Sequence, residues 1–348
     1  MHLTDIWFIL IAVLWTGYFV LEGFDFGVGM LLPVLGRDNA DRRVLLNAIG
    51  PTWDGNEVWL LVAGGATFAA FPSWYASMFS GFYLALLLIL VALILRVVAL
   101  EFRGKIDSER WHRNWDRVIV FGSAVPALLW GVAFGNIVHG VPLDAHGIFT
   151  GTFFTLLNPY ALLGGLTTLS VFLFHGAVFL GLKTTSELRD KAVALSWKLG
   201  AAAVVFGAVF LLWTEISLGH GWTWLTTLIT AGLLIGAVLA ARARREGRAF
   251  LLTAATIVLF TATLFATLYP NVLPSTTAVA NSLTVTNASS SHYTLVVMTW
   301  VAVVFTPIVL AYQAWTYWVF RQRISRTDLT EPIGLPPLLR AHPAGGDR

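Results

Sequence analysis

Residues 76–100 read ASMFSGFYLALLLILVALILRVVAL, and residues 101–117 read EFRGKIDSERWHRNWDR. The first stretch carries a single charge, Arg96, close to its end, and is long enough to cross about 30 Å of hydrocarbon as a helix. The second brings Arg103, Lys105, Arg110, Arg113 and Arg117 in quick succession. An apolar run followed at once by a basic one is the pattern of a membrane span that leaves the bilayer on its cytoplasmic side.

The whole chain repeats this pattern. Of its 348 residues 57% are hydrophobic and 12% charged, with a mean hydropathy of +0.74. A soluble core of this size would need far more polar surface, whereas a bilayer solvates apolar helix exteriors. Continuous apolar runs, without period-two alternation, exclude a transmembrane β-barrel. The absence of cysteine excludes disulfides, thiolate metal sites and thiol redox chemistry. Met1–Asp5 lack a basic n-region and the following apolar segment outruns a signal peptide's, so a retained first span is expected.

Windows of about 20 residues give nine spans, at 6–34, 52–72, 76–100, 118–138, 160–182, 197–217, 223–241, 249–269 and 294–320. All 22 lysines and arginines then fall on one side, and the connections 73–75, 139–159, 218–222 and 270–293 hold none. The N-terminus is therefore expected outside and the C-terminus in the cytoplasm. The sequence pI of about 9.3 reflects cytoplasmic loops facing anionic lipid rather than nucleic acid. The expected fold is an all-α polytopic membrane protein with an integral domain over 1–320. A first four-helix bundle covers 6–138, a second 160–269, and the ninth helix, 294–320, is peripheral. Spans one to four and five to eight share an orientation, a weak topological duplication. Residues 321–348, with Pro332, Pro336, Pro337 and Pro343 among charges, read as a mobile cytoplasmic tail.

In this topology LEGFDFGVG (21–29) descends toward the cytoplasm and GPTWDGNEVW (50–59) rises from it, so the two meet in the inner half of the membrane. Glu22 and Asp25 share a helix face, as do Asp54 and Glu57. Neither segment contains a lysine or arginine, so the four carboxylates are expected to converge uncompensated and to take up protons readily, as a relay from the cytoplasm requires. Other readings stand beside this one. Pro51 suits a first helical position and acids are favoured in a first turn, so Asp54 also fits a hydrated helix start. Gly23, Gly27 and Gly29 read first as small residues that let helices approach. Trp7, Trp53, Trp74, Trp222 and Trp224 fit an aromatic belt. Arg96 and Glu215, near span ends, are expected to snorkel to the interface.

Among eight histidines only His175, in FLFHGAVF, lies clearly inside a span. A membrane haem held on both sides needs two axial ligands from facing helices. Met30, Met78 and Met298 are scattered over different spans, so His175 reads as an interior hydrogen-bonding histidine rather than a ligand and the chain is a poor candidate for holding a haem or a metal.

GFDFGVG (23–29), GPTWDGNEVWL (50–60), EFRGK (101–105) and GVAFGN (131–136), in that order on nine spans, resemble subunit II of the cytochrome bd-type quinol oxidases. The resemblance covers nearly the whole chain, with its specific motifs in the first 140 residues. It implies a heterodimer with a subunit I of homologous fold that carries two b-type haems, one d-type haem and the quinol-oxidising loop. The complex would couple quinol oxidation to reduction of dioxygen to water, with protons drawn from the cytoplasm and no pumping cycle, in a bacterial or archaeal plasma membrane. It further implies a structural isoprenoid quinone in subunit II, at no position the sequence fixes, and room for small accessory subunits. By position, Asp54 and Asp25 would take up protons, with Glu57 supporting them and Glu22 either joining the network or bonding across a helix contact. Trp53 and Asn56 would shape the network, and Arg103 and Lys105 would face the partner. Two rivals remain from the residues themselves: a cation- or proton-coupled transporter with midplane carboxylates, and a scaffold in which the acids are helix glue.

Overall fold

In hydrocarbon a backbone amide finds no water, so an apolar chain must satisfy its own hydrogen bonds, and the helix is the local way to do so. The computed structural model describes residues 2–329 and is helical almost throughout. Its helices are α1 (Leu3–Leu35), α2 (Asn39–Ile49), α3 (Trp53–Ala70), α4 (Pro72–Gly81), α5 (Tyr83–Phe102), α6 (Glu109–His139), α7 (Pro159–Lys183), α8 (Ser186–Leu218), α9 (Thr223–Arg242), α10 (Glu246–Leu268) and α11 (His292–Val319). Among the described residues eight of these, all but α2, α3 and α4, are long and apolar enough to cross a membrane. The expected span at 52–72 is the helix α3, whose first turns hold Asp54, Asn56 and Glu57 and so dilute its apolar character. The expected span at 76–100 is divided at Phe82, between α4 and α5. Pro72 occupies the first turn of α4, where its missing N–H costs nothing, and fixes where α3 stops.

The centre of the molecule is the crossing of α1 and α7. A Cβ on Gly27 would lie 2.1 Å from the carbonyl oxygen of Phe172, and one on Gly176 would lie 2.6 Å from the Gly27 backbone. Gly23 meets the Phe172 ring in the same way, while Gly29 faces Ser123 of α6. The glycines of the first motif are thus close-approach residues, which is the role small residues play between membrane helices. His175, beside Gly176, spans the crossing: its Nε2 lies 3.1 Å from the Val20 carbonyl and its Nδ1 2.7 Å from Thr253 Oγ1 of α10, with the ring stacked on Phe250. Both ring nitrogens are therefore engaged.

Around this axis α7 also packs on α6, α8 and α10, and α1 on α3, α6 and α10. The α3 face that meets α1 carries Asn56, Ala63, Thr67 and Ala70, at helical spacing. Trp59 lies flat where α1 has Gly17, whose Cβ would stand 2.2 Å from the indole. Helix α11 buries only Leu295. Polar contacts hold it: Trp7 Nε1 donates to Thr299 Oγ1 at 3.1 Å, Trp59 Nε1 to Gln313 Oε1 at 2.8 Å, and Tyr317 Oη to Asn56 Oδ1 at 2.7 Å.

Polar layers close the two ends. On one, Asn136 of the GVAFGN motif donates to Leu156 O at 2.7 Å and accepts from Asn158 at 2.8 Å, anchoring the 140–158 connection. That connection pairs with the 270–291 connection through Val141 N to Pro274 O and Asn281 Nδ2 to Leu143 O; the latter segment folds on itself as the strands β1 (Asn271–Leu273) and β2 (Leu283–Thr284). On the other end lies α2, which was not among the expected elements; its Val44, Leu45, Ala48 and Ile49 are buried and Asp38 caps it by accepting from Asp41 N. Residues 321–329, expected to begin a mobile tail, instead run along this layer. Arg326 pairs with Asp38 at 2.9 Å and Asp41 at 2.5 Å, Ile324 N donates to Lys183 O, and Lys183 Nζ donates to the Phe320 and Gln322 carbonyls at the end of α11. Charge pairing and helix-end carbonyls supply what the apolar content of that segment does not. The remainder of the expected tail, 330–348, lies outside the described residues.

Replacing Gly27 by Val is expected to overpack the α1–α7 crossing by about 1–3 kcal/mol or more. It should lower the unfolding temperature of the detergent-solubilised protein by several degrees. Gly232→Ala on α9, where nothing lies within 4 Å, should leave it unchanged or slightly raised, because Ala is the better helix former.

Candidate functional site

The C-terminal half of α1 turns one face to α7 and the other to α3 and the Arg96 side chain of α5, and the second face carries the carboxylates. Glu22, Asp25 and Arg96 are all fully buried. Arg96 Nη1 pairs directly with Glu22 Oε1 and lies 3.9 Å from Glu57 Oε2, and its guanidinium carbon stands 5.0 Å from the Phe26 ring centroid. Glu22 is thus the carboxylate in direct contact with the guanidinium, with Glu57 farther off. Two sequence expectations are therefore corrected. Arg96 does not snorkel to the interface, and the carboxylates do not lack a cation: α5 supplies one that neither acidic motif contains.

The geometry explains why Arg96 stays inside. It sits six residues before the end of α5, about 9 Å into the helix. Facing it on α6 is Gly122, where a Cβ would stand 2.6 Å from Arg96 Cβ, so the absence of a side chain there admits the arginine stem. A paired buried charge costs far less than an isolated one, and Glu22 lies one contact away.

Asp25 takes a different partner. Its Oδ2 accepts from Asn56 Nδ2 at 2.7 Å, while Asn56 Oδ1 accepts from Tyr317 Oη at 2.7 Å and Gln313 Nε2 at 3.1 Å. Asn56 is thus the knot tying α1, α3 and α11 together. Glu57 is partly exposed, with 18% of its side chain accessible. Asp54, one turn earlier, is fully at the surface of this chain, and Trp53 beside it is half-buried. The structure gathers three of the four expected carboxylates and leaves Asp54 exposed.

Five buried polar atoms of the cluster have no hydrogen-bond partner among the described residues: Glu22 Oε2, Asp25 Oδ1, Glu57 Oε2, and Nε and Nη2 of Arg96. Buried polar groups are ordinarily satisfied, by water where protein does not serve. Donors and acceptors with spare capacity, side by side and leading from Asp54 inward, can order a short water chain.

Arg103, expected to face a partner, is turned inward. Its Nε donates to Asp116 Oδ1 at 2.5 Å and its Nη2 to Asn39 Oδ1 at 2.9 Å, and Arg42 reaches the same Asp116 at 2.8 Å. It staples α2 to α6. Lys105 is exposed. Glu215, the other expected snorkeller, is also buried, accepting from Thr223 and Thr227 of α9 at 2.7 Å each. Sequence reasoning missed Arg96, Tyr317 and Gln313. Arg96 could have been found by counting its residues from the end of its helix, whereas nothing local marks the two α11 residues.

A second feature is a groove of about 800 Å³ between α1, α3 and α10. Apolar side chains such as Phe8, Val13, Val20 and Phe265 line it, Trp59 closes one end, and Asp5, Tyr269 and Trp222 form its rim. From Asp5 to Leu21 it follows α1 for about 24 Å.

The model of the family described as cytochrome bd terminal oxidase subunit II matches residues 3–320. The chain belongs to this family. It is 42% identical over 332 residues to the cytochrome bd ubiquinol oxidase subunit 2 of Bacillus subtilis strain 168, covering 94% of this chain and 98% of that one. It is 39% identical over 362 residues to the cytochrome bd-I ubiquinol oxidase subunit 2 of Escherichia coli K12, covering 93% and 96%. In fold it is similar to a chain of the bd oxidase from Geobacillus thermodenitrificans, with a TM-score of 0.73 at 16% identity over 92% of this chain and 99% of that one. As a bd oxidase subunit II, this is a multi-pass membrane component of a respiratory quinol oxidase.

Removing Arg96 alone is expected to strand Glu22 in the interior. Arg96→Gln should therefore destabilise the protein by about 3–5 kcal/mol, seen as loss of the monodisperse peak on size exclusion and a lower unfolding temperature. Adding Glu22→Gln should recover much of that loss, because the pair is then replaced by groups that need no counter-charge.

Proposed function

We propose that this chain is the haem-free subunit II of a quinol:dioxygen oxidoreductase, holding a haem-bearing subunit I and carrying protons toward it from the cytoplasm. The observation that carries the reading is the Arg96 cluster: titratable groups buried at membrane depth, with unused hydrogen-bonding atoms, beginning at a surface carboxylate. Asp54 collects the proton at the entrance, Glu57 receives it one turn inward, and the Glu22, Asp25 and Arg96 group holds it through ordered water. Arg96 sets the balance, since one cation among three carboxylates leaves room for an added proton without an uncompensated buried charge. Asn56, held by Tyr317 and Gln313, keeps Asp25 in place, and Trp53 borders the entrance.

Several features support a partner on the side formed by α3, α5 and α11. Apolar residues there, among them Leu61, Tyr83, Leu90, Ile94 and Phe305, are exposed in this chain, and Asp54 and Glu57 open nearby on α3. In the assembly α3 is the ninth span, the N-terminus faces outward, the C-terminus lies in the cytoplasm of a bacterial or archaeal plasma membrane, and two four-helix bundles are flanked by α11. Haems b and d belong to subunit I, and quinol and dioxygen are substrates of the complex. The groove between α1, α3 and α10 suits a structural isoprenoid quinone: its length takes several isoprene units and its polar rim at Asp5 and Tyr269 takes a ring with carbonyls. The family membership favours this reading over a transporter.

Asp54→Asn removes a titratable group and little volume. In the complex purified through a tag on this chain it should slow quinol-driven dioxygen uptake at least tenfold while the haem b and d bands stay intact. Loss of assembly would make Asp54 structural, and unchanged turnover would route the protons elsewhere. Ala12→Trp, projecting into the groove, should lower the quinone extracted from the purified complex with turnover retained.

A further inference from the structure

A cavity of about 40 Å³ lies between α1, α6, α7, α8, α9 and α10 and shares no lining residue with the carboxylate cluster or the groove. Its walls are almost wholly apolar: Phe172, Phe210, Phe260 and Leu264, together with Gly207, where a side chain would otherwise fill it. One water needs about 10–15 Å³ of such space, so room is not limiting.

Threonines also border the cavity, and their hydroxyls decide its character. Thr167 donates to Leu163 O at 2.8 Å, Thr230 to Thr226 O at 2.7 Å, and Thr256 to Leu252 O at 2.7 Å, each on its own helix; Thr168 donates to Ala127 O of α6 at 2.7 Å. These four donors are spent on backbone carbonyls, the usual arrangement of threonine inside a helix; Thr261 also lines the cavity, and one hydroxyl is fewer than the two to four polar partners a water needs. A water in the cavity would have to give up its partners in bulk for aromatic and aliphatic walls, and a site needs two to four polar partners to keep one. A small apolar molecule loses nothing on entry and gains dispersion contact on all sides.

We propose that this cavity is a binding site for a small apolar gas, and that dioxygen is its occupant in the membrane. The ligand class stands on the cavity alone; the choice of dioxygen rests on the oxidase reading above. Dioxygen favours apolar surroundings, and a dry site within the helices would hold it inside the same complex that reduces it. No bond is made or broken there, and occupancy follows the concentration of gas dissolved in the surrounding lipid.

The test is a structure of the intact complex under xenon pressure, with xenon as the probe and its anomalous signal as the readout. One xenon peak is expected in contact with Phe172, Phe210 and Leu264. Gly207→Val, at a position where a Cβ meets only ordinary contacts, 3.5 Å from Leu234 and 3.9 Å from Thr167, should abolish that peak. Thr230→Val, which keeps the shape and deletes a hydroxyl already spent on the backbone, should retain it. Ordered water in the cavity of the unpressurised complex, or no xenon there while other sites in the same crystals fill, would overturn the inference without reference to either variant. A haem-bearing, oxygen-consuming complex without the xenon peak would refute the gas site alone. The peak in a complex without haem or oxygen uptake would refute the oxidase reading and leave a gas site of unassigned occupant.

Discussion

Everything in this molecule is hung on the close crossing of α1 and α7. With no hydrophobic force between helices in lipid, association depends on packing and on hydrogen bonds between them. Gly27 and Gly176 let two backbones touch, and His175 reaches across to the Val20 carbonyl beside them. Once α1 is fixed against α7 on one face, its other face can be committed to polar work. The same seven residues, GFDFGVG, serve both: glycines toward α6 and α7, Asp25 toward α3.

That division explains how a charged cluster is tolerated at membrane depth. A lone carboxylate there would simply be protonated or expelled. Here Glu22 is matched by Arg96 from a helix that reaches the site only because Gly122 leaves space, and Asp25 is matched by the amide of Asn56. The pairing is incomplete by design of the geometry: one cation faces three acids, and five polar atoms retain unused capacity. A fully satisfied cluster would be inert scaffold, and a fully unpaired one would not fold. The intermediate state is the one the proposed proton transfer needs, and on that proposal the same residues serve both stability and turnover.

The motif residues also prove to have architectural duties that local reading does not disclose. Asn56 joins three helices, Asn136 anchors the 140–158 connection, and Arg103 locks α2 onto α6 through Asp116. Helix α11 has almost no buried surface and depends on these polar ties, together with Lys183 and the Arg326 clamp on its far end. Its exposed apolar surface is the complement of that arrangement: what the chain itself does not cover, lipid or a partner must.

Much of this was legible in the sequence, because membrane folding is governed by one-dimensional quantities. Apolar length sets the spans, the basic residues divide them into two sides, and a charge counted in residues from a helix end has a known depth. The glycine contacts at 23, 27 and 29 and the interior role of His175 were readable in this way, and the oxidase family from the resemblance of its motifs. Helix α2 was overlooked although Asp38 and the spacing of Val44, Leu45, Ala48 and Ile49 announce it. What only the tertiary structure decided is which side chains meet. Arg96 belongs to no acidic motif and lies 74 positions from Glu22, and Tyr317 lies 261 from Asn56. Hydropathy and spacing report on a residue's own helix, whereas a counter-ion is chosen by the helix packed beside it, and that choice exists only once the backbones have come together.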